Sequence, residues 1–380
     1  MYPTIYKLSD LVPFIESNPQ FRIQEQPNGY TVVCYMLQDE DTFRGENEAY
    51  AQECRGITFD REGNIASRTL HKFENVGQSD ASQPENIPWN RIVRVMDKRD
   101  GSMITFLEID GQIVGKTKKT FTSNEAIAAT EFLNKDPVKV AWVRDCLRQG
   151  FTPTFEWTSP RFPIVLTYKQ DELTLLQIRH NESGMYPMFT LLNPNFQSEV
   201  PFPIVENLML PGYDARDLLE EAKTAEGIEG WIIQDDNGRM WKIKTLWYVK
   251  LHHSVTFTRW RDIARTVLAD EADDLKAAFT MTGRSIEPIL EVERKIHAYI
   301  AEQEAGLKKI VEEGRGLPGL EMHTKHHDHP RIKQIMRVHR GANPDEINWR
   351  DIYLKERIRD WNLEVIVQNE DIEVPTTEEV

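Results

Sequence analysis

The sequence predicts an α+β protein in two parts: an N-terminal domain of antiparallel sheets flanked by helices (residues 1–253) and an all-helical C-terminal domain (residues 254–380). Three observations predict it. Short β-rich runs fill the first two-thirds without regular alternation with helices, which argues against a doubly wound parallel sheet. Asp110–Gly111 stands between two apolar runs, a strong hairpin signal. Beyond residue 253 the pattern becomes one of long amphipathic stretches rich in helix formers.

Taken in order, strands are expected at 30–37, 56–60, 91–96, 102–109, 112–117 and 173–179, each short and β-branched or aromatic. A helix is expected over 123–135, opened by Ser123 as its cap, and another over 213–223. The domain boundary falls near 250–256. Helical patterns then run through "WRDIARTVLADEADDLKAAFT", "SIEPILEVERKIHAYIAEQEAGLKKIVEEG" and "PDEINWRDIYLKERIRDWN". From about residue 369 the chain is acidic and polar, as a solvated tail would be.

Composition narrows the function. No run of 18 or more apolar residues is present, so no membrane span is expected, and "MYPTIYKLSDLVPF" lacks the form of a secretory signal. Cys34, Cys54 and Cys146 have no CxxC spacing, which fits a reducing cytoplasm rather than a disulfide framework or a cysteine-rich zinc site. The formal net charge of −15 argues against a nonspecific nucleic-acid coat. It leaves room for an enzyme whose cations are gathered in one cleft, and basic clusters do occur at 115–120, 240–253 and 325–340.

The candidate chemistry starts at "DKRDGS", where Lys98 sits at the seam between two strands, followed by Asp100 and Gly101. A lysine is a nucleophile only as the neutral amine, so a site that used it would need nearby cations, a metal or desolvation. Asp100 would cap the turn or orient the amine, and Gly101 would permit close backbone approach. The same six residues are also ordinary turn chemistry. Further along, Arg55 begins a strand in "ECRGITFD" and Glu156 lies in the aromatic setting of "TFEWTSPRFPIVLTY". Glu229 precedes Gly230 and a strand, and Lys242 and Lys244 alternate on one strand face. Each has a structural reading too: a surface charge, a paired core carboxylate, a turn residue and a solvated strand face. The run "MHTKHHDHPRIK" places His323 and His327 four apart, as a helical metal pair would be. Pro330 and the lack of HExxH favour a solvated helix end over a zinc site, and RNA contact is a third reading.

In this order, KxDG, an FE-type glutamate, EG before apolar residues and KxK resemble the covalent nucleotidyltransferase superfamily. The chain is most similar to the bacteriophage RNA ligase 1 family, ATP-dependent ligases of tRNA repair, through "ECRGITFD", "HKFENVGQ", "DKRDGS", "GKTKK", "FEWTSPRFPIV", "EGWII" and "KIKTLWYVKLH". KxDG alone is weak, but the ordered series over about residues 50–253 is strong.

The resemblance implies that Lys98 attacks the α-phosphorus of ATP to form lysyl–AMP. AMP then passes to an RNA 5′-phosphate, and a 3′-hydroxyl attacks the activated end. Lys242 and Lys244 are implied near the α-phosphate, where their like charge would disfavour the protonated form of Lys98. Arg55, Lys72 and Lys118 are implied to meet phosphates, Glu156 the ribose hydroxyls, and Asp100 and Gly101 to complete the nucleotide site. Mg²⁺, or Mn²⁺, is implied with Glu229 as its ligand. One departure is Glu74, which stands where the family's KFFN-like segment has a second aromatic; a carboxylate there is adverse near phosphates.

The implied partners are RNA with 5′-phosphate and 3′-hydroxyl ends, such as a tRNA nicked in its anticodon loop, and an end-healing kinase/phosphatase. The helical domain is implied to set tRNA specificity. A monomer in the cytoplasm, the host's if phage-encoded, is expected. The alternatives are a GTP-dependent mRNA capping guanylyltransferase, disfavoured because no OB-fold-like β-rich tail follows "KIK", and a non-catalytic ligase-like RNA-binding protein, disfavoured because Lys98, Glu229, Lys242 and Lys244 are all retained.

Overall fold

The computed structural model describes residues 2–18, 20–36, 42–45, 47–187, 199–253, 260–281, 285–349 and 352–353. The expected acidic tail and the end of the last expected helix lie outside them. The chain divides into two units, Met1–Ser254 with Lys276–Arg284, and Val255–Leu275 with Ser285–Val380.

The first unit is built on three sheets whose strand pairings are all antiparallel. One is β1 (Phe21–Glu25), β2 (Thr31–Tyr35), β3 (Arg55–Phe59) and β4 (Ile65–Ser67) in sequence order. The second places β10 (Gly230–Asp235) between β5 (Ile92–Asp97) and β11 (Met240–Lys244). The third runs β7 (Gln112–Lys116), β6 (Ser102–Ile109), β8 (Phe151–Thr158), β9 (Glu172–His180). The helices are α1 (Val12–Glu16), α2 (Glu48–Glu53), α3 (Asn124–Asn134), α4 (Pro137–Arg148), α5 (Leu218–Thr224) and α6 (Leu246–His253).

Local sequence explains the main elements. Asp110 and Gly111 both take positive φ, and Ile109 pairs with Gln112 across the two-residue turn, as the hairpin signal predicts. The Ser123 hydroxyl accepts from the Ala126 N–H at 3.2 Å and opens α3. Asp136 does the same for α4, a helix that the sequence analysis did not anticipate. Strand β6 is buried on both faces. Ile104 and Phe106 enter a core with Phe155, Trp157, Leu133 and Val143, under α3 and α4. Leu107 and Ile109 face the other way, against Val32 and Phe121. In the second sheet Trp231, Ile233, Trp241 and Ile243 share one face with Leu218 and Ala222 of α5. That leaves residues 230, 232, 242 and 244 on the opposite face.

Helices of the remaining chain are α7 (Trp260–Ala269), α8 (Ala272–Met281), α9 (Glu287–Glu313), α10 (Gly319–His326) and α11 (Ile332–His339). The stretch expected as one long helix from 260 breaks at Asp270, which takes φ +70°. Helix α9 buries Ile289, Val292, Ile296, Ile300 and Leu307, one stripe at helical spacing. Among the described residues no group of three or more His, Cys, Asp or Glu is placed to hold a metal ion. No described helix is long and apolar enough to cross a membrane.

Gly230 shows how closely the second sheet is fitted. It takes φ +146°, and a Cβ there would lie 2.0 Å from the Ile243 carbonyl oxygen and 2.8 Å from Lys244 Cα. Neither is a side chain that can swing aside. Gly230→Ala is therefore expected to cost more than about 2 kcal/mol, read as a lowered midpoint in urea at unchanged slope. A midpoint equal to that of the parent protein would show that β10 and β11 can part without cost.

Candidate active site

Lys98 does not sit in a hairpin. Strand β5 before it and strand β6 after it belong to different sheets, so "DKRDGS" is the crossover between them. Its backbone N–H donates to the Gly230 carbonyl at 2.9 Å, and Gly230 pairs with Lys244 on its other side. Three chain segments thus set Lys98, Gly230 and Lys244 in a row. Glu229, next to Gly230, collects both amines: its Oε1 lies 2.7 Å from Lys98 Nζ and 3.0 Å from Lys244 Nζ. Two cations that share one oxygen are close neighbours. The carboxylate is 3% exposed while Lys98 is 21% exposed, so the charge is anchored inside and the nucleophile candidate lies at the rim.

Asp100 and Gly101 explain how the crossover is held. Asp100 Oδ2 accepts from the backbone N–H groups of Val165 and Leu166, and Oδ1 accepts from the Tyr248 hydroxyl at 2.7 Å. Both oxygens are thus engaged by protein donors, and Asp100 fastens the lysine loop to α6 and to the loop before β9. Gly101 allows a close approach to the neighbouring strand: a Cβ there would lie 2.4 Å from the Trp157 carbonyl oxygen. Arg99 ion-pairs with Glu172 at 3.2 Å.

The other cations cluster around aromatic rings. Arg55 Nη1 lies 3.1 Å from Met103 Sδ and donates to the Leu70 carbonyl at 3.4 Å. Its guanidinium is 5.9 Å from the Phe73 ring centre, and Lys242 Nζ is also 5.9 Å from it. Lys72 and Lys118 share Tyr35 in the same way, at 5.6 and 4.4 Å from the ring, and Lys118 donates to its hydroxyl at 2.9 Å. Tyr35, which joins these two lysines, was not singled out from the sequence, where its signal was a polar aromatic at the end of a strand. The structure also separates the lysines of "GKTKK". Lys116 is wholly buried on the Thr117 carbonyl, and burial pushes its amine down to about 7. Glu74, expected to disturb the phosphates, accepts instead from the Ser79 hydroxyl.

Glu156 pairs with Met103 across β6 and β8, so both face Arg55. Burial pushes its carboxyl up from 4.5 to about 7; Lys98 and Arg55 oppose the shift and Glu229 adds to it. The remaining oxygen of Glu229, Oε2, is buried and has no hydrogen-bond partner. An orphaned anionic oxygen beside a phosphate-directed cleft suits Mg²⁺ or Mn²⁺ held by one carboxylate and completed by water and phosphate oxygens. It does not suit a metal caged entirely by side chains.

The family model described as RNA ligase matches residues 53–252, and the chain belongs to that family, which bears out the resemblance read from its motifs. A relative from Thermovibrio ammonificans named "Putative RNA ligase" is 28% identical over 275 residues, 70% of each chain. RNA ligase 1 of bacteriophage TS2126 is 24% identical over 258 residues, which cover 64% of this chain but only 62% of the phage protein. Among solved structures, a "Putative ATP-dependent DNA ligase" of Aquifex aeolicus superposes with a TM-score of 0.47 at 12% identity, over 81% of this chain and 80% of its own.

The raised Glu156 carboxyl has a measurable consequence. Between its ordinary 4.5 and about 7 the folded protein holds a proton that the unfolded chain has released. This contribution to stability is complete at low pH and is lost as pH rises through 7. Glu156→Gln cannot ionise, so its melting temperature relative to the parent is expected to climb by roughly 5–10 °C between pH 5 and pH 8. A difference that stays flat across that range would show that Glu156 titrates as an ordinary carboxylate.

Proposed function

We propose that the chain is an ATP-dependent RNA ligase that seals 5′-phosphate to 3′-hydroxyl ends, working on tRNA cleaved in its anticodon loop after a kinase/phosphatase has healed the ends. The observation that carries this reading is the meeting of Lys98 and Lys244 on one buried oxygen of Glu229, within reach of a row of further cations. Glycosyl or acyl transfer has no use for so many cations. A triphosphate does, because displacement at phosphorus concentrates charge on oxygens that only fixed cations can stabilise without reorganisation.

In the proposed sequence the Lys98 amine leaves Glu229, loses a proton to water and attacks the α-phosphorus. A P–N bond forms, the bond to the β-phosphate oxygen breaks, and pyrophosphate departs. The RNA 5′-phosphate then displaces Lys98 from AMP, and the RNA 3′-hydroxyl displaces AMP. Lys244 and Lys242 balance charge at the α-phosphate. Arg55, Lys72 and Lys118 hold the outer phosphates, with Tyr35 and Phe73 keeping the like charges apart. Glu156 accepts from the ribose hydroxyls. Glu229, through Oε2, would hold Mg²⁺ or Mn²⁺, which neutralises phosphate charge when bound. Asp100 and Gly101 position the lysine loop. The helical unit is proposed to recognise the tRNA.

The test is direct. Incubated with α-labelled ATP and Mg²⁺ but no RNA, the protein is expected to take up acid-stable label. Lys98→Ala should reduce it by more than about a thousandfold and Glu229→Gln by about a hundredfold. Label from GTP instead of ATP would favour capping, and no label from either would favour a non-catalytic protein. A cleaved anticodon stem-loop should be sealed better than nicked duplex DNA; equal or better sealing of the DNA would overturn the RNA assignment.

A further inference from the structure

Behind the cations of the cleft lies a second set of charges, closed off from solvent. Glu53 ends α2, and its two oxygens meet two guanidiniums, Arg68 Nε at 2.9 Å and Arg179 Nη2 at 2.7 Å, with all three side chains wholly buried. Burial alone would raise the Glu53 carboxyl, but Arg179 and Arg68 override it and hold it at about 2. Arg179 is stacked between Tyr2 and Tyr186, 4.7 and 4.9 Å from their ring centres. Arg68 spends its remaining donors on the carbonyls of Pro3, Asn181 and Glu182.

Two cations on one carboxylate leave a net buried charge, a poor way to gain stability compared with an apolar core. What the group does is fasten one strand-like strap, residues 68–72. Arg68 is in it. Arg179 Nη1 donates to the Thr69 carbonyl at 2.7 Å, and the Thr69 hydroxyl donates to the Arg55 carbonyl at 2.9 Å. The Leu70 carbonyl accepts from Arg55. The His71 N–H donates to the Tyr186 oxygen at 3.1 Å, and that hydroxyl lies 2.8 Å from the ring Nδ1. The Lys72 N–H donates to the Gln52 carbonyl, one residue before Glu53, at 2.7 Å. Every residue of the strap is tied, and its two ends of interest are Lys72 and the Arg55 contact. None of these bonds reaches Lys98, Glu229 or Lys244.

We propose that Glu53, Arg68, Arg179 and Tyr186 are positioning residues that set Lys72 and Arg55 for the outer phosphates of ATP, and leave the Lys98–Glu229–Lys244 group to its own supports. Planar guanidinium forks bonded at fixed angles suit this task better than apolar packing, because they fix direction as well as distance. The inference rests on the ligase reading above, and two reactions separate its failure from that of the reading. Nucleotidylation of Lys98 uses the outer phosphates. Sealing of RNA already carrying a 5′-adenylate does not, and needs no ATP.

Tyr186→Phe is the mild variant, since it removes one hydroxyl and keeps the ring on Arg179. Glu53→Gln is the severe one. In full-length protein that melts cooperatively, Tyr186→Phe should raise the half-saturating ATP concentration for Lys98 labelling about tenfold, with Glu53→Gln exceeding it if it folds. Sealing of pre-adenylylated RNA should stay within about twofold of the parent. Unchanged ATP dependence in folded Tyr186→Phe, or parallel loss of both reactions, would overturn the proposal and leave the group a purely structural role. Absence of label in the parent protein would instead sink the ligase reading, and this inference with it.

Discussion

One buried oxygen organises the site. Glu229 Oε1 holds the amines of Lys98 and Lys244 together, and nearly every other feature of the first unit is a condition for that meeting. Strand β10 must lie between β5 and β11 so that Gly230 has one lysine on each side. The opposite face of that sheet must be apolar to bind α5, because the lysines occupy the face turned to the cleft. The crossover to the third sheet must begin at Lys98, so that the nucleophile candidate stands where two sheets part and a nucleotide can enter. Like charges do not assemble unaided. Here the carboxylate draws them in, and backbone pairing fixes the result.

The cations farther out follow a different rule. Lys72 and Lys118 share the ring of Tyr35, and Arg55 and Lys242 share that of Phe73. A ring face offers partial negative charge without neutralising either neighbour. A carboxylate there would compete with phosphate. Glu74, which the motif order sets among these cations, accepts from the Ser79 hydroxyl.

Much of this was legible in the sequence, and the reasons for the rest are specific. The hairpin at Asp110–Gly111, the Ser123 cap and the paired faces of β11 depend on local conformation, and local patterns revealed them. The order of the motifs singled out Lys98, Glu229 and Lys244, which the fold brings together. The crossover did not show itself, because two apolar runs around a turn look the same whether they share a sheet or change sheets. The fastenings of Asp100 and Gly101 stayed hidden for the same reason. Their partners, Tyr248, Val165, Leu166 and Trp157, are distant in sequence, so no local pattern showed them. Tyr35 was missed because a tyrosine closing a strand is ordinary until its neighbours in space are known. Helix α4 was missed because its apolar face is narrow, with Val143 its one fully buried residue.

The Asp100–Tyr248 bond joins residues 148 positions apart. A contact that long is among the last a chain can make as it emerges during synthesis, since everything between must already exist. The lysine loop therefore lacks its Tyr248 fastening until the far end of the first unit has been made. A growing or truncated chain would carry Lys98 with no Glu229, no Lys244 and no fixed loop. The meeting of Lys98, Glu229 and Lys244 thus exists only once the chain has been made through residue 244.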